Sequence, residues 1–456
     1  TAQIGCLPPE LLLAVFAHVP LAERHRRLAL VCRQWGELVH SPALLDSLEV
    51  SIGPARLLPR LRSFVEWLAR RAVGHVRQLR LHIAAAEDLA DGDWTEDESQ
   101  EITASIAAAV TLLAGSLRQL SLSTHKLPLL PLGSWMVPLG RLANLEMTCQ
   151  RDIGNVTVSA PLPFLTGLRS LRLHAPSGKV LVQPGAMLPP MLTSLWMRSF
   201  IAEAPQPVGA LSCLRDLTIV GTSSTHSLGV LAALHSTLTA LNLTVLEDIP
   251  DCLERLTELR SLTIDDYEGK LAEPDDQVLE RALPQLRHLT AVYLFSGGLP
   301  DSPAALSSLQ HLDTVCWSGW DNEPKQLPGG PWLGRLRRLA VSCWFLSDAD
   351  SLATLSGAQH LEHLGVHGSF DEDGPRHASR QKARRSAEVA GILAWAQGHA
   401  SLRQLALRQL QPRMARLAAA ARRSRPELCI REAKDVFEAV CGYQCQETVY
   451  SDDDEA

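Results

Sequence analysis

The stretch Leu117-Arg118-Gln119-Leu120-Ser121-Leu122 decides the fold, because its spacing of apolar residues returns along nearly the whole chain. It reads again as Leu142-Leu145-Met147, Leu168-Leu171-Leu173, Leu192-Leu195-Met197, Leu214-Leu217-Ile219, Leu238-Leu241-Leu243 and Leu259-Leu262-Ile264, with further copies from Leu336, Leu361 and Leu402. Successive first leucines from Leu117 to Leu259 lie 25, 26, 24, 22, 24 and 21 residues apart. Around Leu286 the string fits either Leu286-Leu289 or Leu289-Val292-Leu294; around Leu309 it fits Leu309-Leu312 or Leu312-Val315-Trp317.

The last two apolar residues of each string are two apart, so on a strand they share one face and the residue between them faces the other way. A strand roughly every 24 residues with a return segment between matches the period of leucine-rich repeats, whose coils bury their apolar side only by stacking. The expected fold is α/β: a solenoid with a parallel concave sheet and a helical or irregular convex side. The Asn or Cys usual nine positions into such a repeat is replaced by His125, Gln150, Pro176 and Tyr267. A continuous buried amide ladder is therefore not expected.

Two intervals, Val76 to Leu117 and Leu361 to Leu402, span 41 residues each, and both surpluses are charged. The first, near 86–101, holds Glu87, Asp88, Asp91, Asp93, Glu96, Asp97, Glu98 and Glu101. The second, near 370–386, runs from Asp371-Glu372-Asp373 to Arg376, Arg380, Lys382, Arg384 and Arg385. Both read as mobile, solvated surface loops. The following stretch from Ile102 to Leu117 reads as a convex-side helix, being too short and too rich in Thr and Ser to cross a bilayer.

With 456 residues, 46% hydrophobic and 20% charged, the chain has the composition of an ordinary soluble protein. A net charge of -7 argues against nucleic acid as a partner, since phosphate binding needs a concentrated positive surface. Ten scattered cysteines without framework spacing suit reduced thiols of a cytoplasmic or nuclear protein, and no disulfide is expected. No signal peptide is evident, and no membrane association is expected; what precedes Thr1 stays open.

Before the repeats, Leu7-Pro8-Pro9-Glu10-Leu11-Leu12-Leu13-Ala14-Val15-Phe16-Ala17-His18-Val19-Pro20 reads as a helix opened by proline and ended before the next. A second helical stretch runs from Leu28 to Val39. Both carry more apolar surface than so small a unit can bury. In order, Leu7-Pro8, Glu10-Leu11-Leu12, Val15-Phe16, Pro20, Val31-Cys32, Trp35 and Ser41-Pro42 resemble the pattern of the F-box family. Where that family commonly has an acidic residue followed by leucine, this chain has Glu23-Arg24.

The resemblance, over about a tenth of the chain, implies a non-catalytic substrate receptor of a cullin-RING ubiquitin ligase. By it, Leu7, Pro8, Leu11, Leu12, Val15, Phe16, Leu28, Val31, Cys32 and Trp35 would contact a Skp-type adaptor and, through it, a cullin. Taken singly, Leu11, Val15, Val31 and Trp35 read equally well as helix-bundle core. The domain plan is an F-box over 4–45, a linker helix region over 46–75, the solenoid over 76–430, and a C-terminal cap with an acidic tail over 431–456. In the linker, Leu57, Leu58, Leu61, Phe64, Val65 and Leu68 recur at helical spacing; its helix would join the two parts rigidly if it packs on the first repeat.

No phosphate loop, nucleophile elbow or zinc-protease motif is found, so no catalytic residue, metal or cofactor is expected. His360, His363 and His367 bracket one strand, where positions four apart lie about 13 Å from each other, too far for a shared ion. Cys441 and Cys445 lack a second pair. Arg413, Arg416, Arg422, Arg423 and Arg425 lie on an Ala-rich helical stretch, and Ser451 with its acidic neighbours reads as a charged tail or a phosphorylation site.

A protein substrate is expected on the concave residues Arg172, His174, Trp196, Arg198, Asn242, Thr244, Thr263 and Asp265. Trp and Arg are enriched at binding hot spots, which puts weight on Trp196, and Tyr293, Trp317, Trp320 and Trp344 would extend an aromatic surface. A small-molecule sensor resembling plant hormone receptors, and an interaction scaffold outside any ligase, are the alternatives.

Overall fold

A computed structural model describes residues 7–19, 21–53, 55–83, 95–124, 134–149, 156–158, 162–175, 180–182, 187–198, 200–202, 206–222, 225–245, 249–266, 273–296, 303–318, 326–346, 349–367, 378–408, 412–433 and 435–442. They fall into two units, 1–219 and 220–456.

The first unit opens with helices α1 (Pro9–Ala17), α2 (Leu21–Arg26), α3 (Arg33–Val39) and α4 (Pro42–Leu45), with a 3-10 turn at Leu28–Leu30. Pro9 sits at the first helical position of α1, where its missing N–H costs nothing. Leu12, Phe16, Val39 and Leu44 form the core of this bundle, and Phe16 meets Trp35 edge-on with ring centroids 4.9 Å apart. Arg24, the departure from the F-box pattern, is buried and donates to the Leu44 carbonyl at 3.2 Å, tying α2 to α4.

The parallel sheet starts earlier than expected, at β1 (Ser47–Ile52), inside the region read as linker. Leu45, Leu48 and Val50 repeat the apolar string, and only then comes the expected linker helix α5 (Leu57–Arg71). β1 is followed by β2 (Gln78–Ile83), α6 (Glu96–Leu113), β3 (Gln119–Thr124), β4 (Asn144–Cys149), β5 (Val156–Val158), β6 (Ser170–His174), β7 (Val180–Val182), β8 (Ser194–Arg198), β9 (Phe200–Ala202) and α7 (Gln206–Gly209). β10 (Asp216–Thr222) lies at the division of the units.

Strands β1, β2, β3, β4, β6 and β8 pair in parallel so that Leu48, Leu79, Leu120, Leu145, Leu171 and Leu195 stand in one row, all buried. With no asparagine ladder available, backbone supplies the link between coils. The carbonyl before each strand accepts two amides of the next coil, as Arg77 does from Arg118 and Gln119, and Arg118 from Ala143 and Asn144. A second small parallel sheet, β5-β7-β9, has no counterpart in the expectations. The first charged surplus is not all loop: α6 starts at Glu96, with Thr95 and Glu98 forming a capping box that satisfies the orphan amides of the first turn. α6 packs beside α5, where Arg62 pairs with Glu101.

The second unit repeats the plan with β11 (Ala240–Val245), β12 (Ser261–Asp266), β13 (Ala291–Ser296), β14 (Thr314–Ser318), β15 (Arg338–Ser342), β16 (His363–His367), β17 (Gln404–Leu407) and β18 (Cys429–Glu432). Their return segments hold 3-10 turns and the helices α8 (Glu273–Ala282), α9 (Ala349–Leu355), α10 (Ala378–Gly398) and α11 (Pro412–Ser424). The buried row runs Leu241, Leu262, Val292, Val315, Leu339, Leu364, Leu405 and Ile430. This register selects Leu289-Val292-Leu294 and Leu312-Val315-Trp317 from the open alternatives.

In the second surplus, residues 378–386 belong to α10 and not to a loop. The Ala-rich arginine stretch is α11, as expected. The chain then forms α12 (Val436–Cys441), capped by Asp435 at its start and left-handed Gly442 at its end. Cys441 of α12 stands with its sulfur against that of Cys316 of β14, the two Cα atoms 7.2 Å apart. Ser451 and Cys445 lie outside the described residues.

Candidate functional site

Two surfaces carry the chemistry. In the helical module, α1 is apolar on nearly every side, so one face must remain uncovered after the core is built. Leu12 and Phe16 fill the core, whereas Leu11 and Val15, four apart on the same helix, are 53% and 49% exposed. The turn after α2 adds Leu30 at 80% and Val31 at 59%. These four are among the most exposed large apolar side chains of the described residues, and all lie within one small helical module.

Of the sequence-named adaptor set, Pro8, Leu11, Val15, Val31 and Cys32 are exposed, while Leu7, Leu28 and Trp35 are half-buried against the core. Leu12 and Phe16 correct the expectation, because α1 turns them inward, where no partner can reach them. Leu30 went unnamed, although its position just before Val31-Cys32 on a segment with surplus leucine was a usable signal.

Two histidines sit where this module meets α5. His25 lies 4.9 Å from His40 and 5.3 Å from Trp67, centroid to centroid. Burial, then the charges of His40, Arg24 and Arg71, pushes the His25 imidazole down to about 4, and burial with Arg71 lowers His40. Both are therefore neutral at pH 7.

The second surface is the sheet face opposite the core. In the first unit one row runs Glu49, Arg80, Ser121, Glu146, Arg172 and Trp196. Ser121 donates to Glu146 at 3.0 Å, Arg172 pairs with Glu146 at 3.7 Å, and the Arg172 guanidinium lies 4.7 Å from the centroid of Trp196. His174 meets Trp196 edge-on at 5.1 Å and accepts from Arg198 at 3.1 Å. Burial and these two arginines depress His174 to about 4, so it accepts from Arg198 in its neutral form. Beside this row a cavity of about 210 Å³ is lined by Gln119, Ser121, Asn144, Glu146 and Arg172 among others. The four sequence-named residues of this unit thus meet in one cluster of cation, aromatic and neutral imidazole.

In the second unit the remaining four take neighbouring positions, Asn242 beside Thr263 and Thr244 beside Asp265. Thr263 and Asp265 are buried, at 5% and 7%, and so offer little free surface. The bulky Tyr293 and Phe295 stand next to them on β13. Trp317 is corrected as well: it faces the core and is 2% exposed, because the selected register makes it the last core position of its string. Trp320 lies outside the described residues, as does the side chain of Trp344.

Among the described residues no group of three or more His, Cys, Asp or Glu is placed to hold a metal, and no helix is long and apolar enough to cross a membrane.

Residues 4–48 match the F-box-like family model. Comparison with curated proteins gives no match. Among solved structures, the chain is similar to an internalin from Listeria monocytogenes at 16% identity and a TM-score of 0.37, over 80% of this chain and 100% of that one. It is also similar to the mouse RP105/MD-1 complex at 15% identity and a TM-score of 0.42, over 83% of this chain and 59% of that one. Residues 4–48 are thus similar to the F-box-like family, and the coils that follow repeat a leucine-spaced parallel strand.

Proposed function

We propose that the chain is the substrate receptor of an SCF-type ubiquitin ligase, acting in the cytoplasm or nucleus. The helical module seats a Skp-type adaptor, and through it a cullin, on Leu11, Val15, Leu30 and Val31. The solenoid presents a protein target on the sheet face opposite the core. What supports the reading most is apolar surface left uncovered in the very segment that matches the F-box-like model. The only chemistry required is proximity: holding a target beside a charged ubiquitin-conjugating enzyme raises its effective concentration without an active site.

The test is a pull-down of a purified Skp-type adaptor by the full chain, wild type against Val15→Asp and Val31→Asp. Capture by wild type and its loss in both variants is the expected result. Failure of folded wild type to retain adaptor would leave an interaction scaffold outside any ligase.

A further inference from the structure

The small helix α12 does not cap the end of the array; it lies on the sheet face opposite the core. The residues that face it are the middle residues of four successive strings, Cys316, Ala340, Gly365 and Ala406, aligned in one row. Val436, Phe437, Val440 and Cys441 pack on that row in one buried cluster with Phe295. The corresponding row of the first unit carries Arg80, Glu146, Arg172 and Trp196, so the run of small residues is specific to the place where α12 sits.

Its shape is fitted to a helix. A β-carbon on Gly365 would overlap Cγ1 of Val436 and stand 2.9 Å from Cγ2 of Val440. Phe437 enters between Phe295, at 4.9 Å edge-on, and His367, at 5.1 Å. At the far end Gln404 Nε2 and Arg431 Nη2 donate to the Ala439 carbonyl at 3.2 and 2.6 Å, a grip on the helix backbone that is independent of side-chain identity.

We propose that this row is a helix-binding groove, that α12 is its resident occupant, and that a target enters by displacing α12. The target class follows from the occupant: a short amphipathic helix with large apolar residues at i, i+1 and i+4, matching Val436, Phe437 and Val440. In naming where a target binds, the proposal rests on the receptor reading above; the groove itself rests on the second unit alone.

The experiment uses the full chain in dithiothreitol, wild type against the double variant Phe437→Asp, Val440→Asp, which expels α12. The probe is a fluorescent peptide of residues 432–442 carrying Cys441→Ser, read by anisotropy. Binding at least tenfold tighter to the double variant, and lost again on adding Gly365→Val, is expected. Equally weak binding by both proteins, with the variant folded by circular dichroism, overturns the proposal. Should the variant not fold, hydrogen exchange on wild type decides: α12 amides opening well before those of β14 to β17 support displacement, and opening only together with them overturns it. Adaptor capture on the same wild-type preparation separates the two readings, because peptide binding without adaptor binding sinks only the ligase.

Discussion

Nη2 of Arg425 donates to the backbone carbonyl of Leu402 at 2.7 Å, and the same guanidinium also reaches the carbonyls of Ala396, His399 and Ala400. Two of these acceptors close the C-terminal end of α10, and the others belong to the turn entering β17, so one buried side chain fixes how helix and strand meet.

Arg425→Ala is expected to destabilise the chain by about 3–5 kcal/mol, because it removes the donor shared by four largely buried carbonyls. Arg425→Lys should recover only part of this, since an ammonium lacks the planar fork that serves several acceptors at once. Denaturant unfolding of the three proteins checks the order wild type, Lys, Ala. Equal midpoints for wild type and Ala would refute the role.

Within the helical module, stability and adaptor capture should separate by residue. Phe16→Ala removes a core ring packed on Trp35 and is expected to cost about 3–5 kcal/mol. Leu30→Ser, at a side chain 80% exposed, should change stability by less than about 0.5 kcal/mol while weakening adaptor capture. Thermal melts paired with the pull-down test this. Leu30→Ser melting like Phe16→Ala would show that the exposed turn is structural.

The repeat was legible because two-residue spacing on a strand has a single consequence, one buried face, and the string survived substitution by Met, Ile and Val. The register near Val292 and Val315 was not, since leucines three apart fit either phase and only pairing with neighbouring strands selects one. Charge misled at Glu96–Glu101: acidic residues read as a solvated loop are also what a helix N-terminus favours, and Thr95 with Glu98 was the signal for it. The seat of α12 was hidden for another reason. Cys316, Ala340, Gly365 and Ala406 are each unremarkable in their own repeat, and become a groove only when parallel pairing sets them side by side. In the helical module, α1 was legible in the sequence, the 3-10 turn at Leu28–Leu30 and α3 ran together as one helix, and α2 and α4 went unnamed. Inward could not be divided from outward residues, because α1 is apolar on almost all sides.

Part of the acid sensitivity should trace to the junction of the helical module with α5, beside the contributions of His174 and His367, which burial also pushes down to about 4. His25, at about 4, and His40 both titrate lower in the folded chain than the ordinary value of 6.5. As pH falls, the unfolded chain therefore takes up protons first. The stability these histidines permit is complete above pH 6.5 and declines as pH drops toward 4. Arg24 contributes to the depression of His25, and its own Nε is buried with no hydrogen-bond partner among the described residues. Arg24→Leu removes a buried cation and one repulsion on His25 while keeping an apolar side chain in place. Loss of its hydrogen bond to the Leu44 carbonyl should lower the melting temperature at pH 7.5, while the decline between pH 6.5 and 4 should be shallower than in wild type. Melting curves across that range decide the point: a steeper decline in Arg24→Leu would show that Arg24 does not act on His25 through its charge.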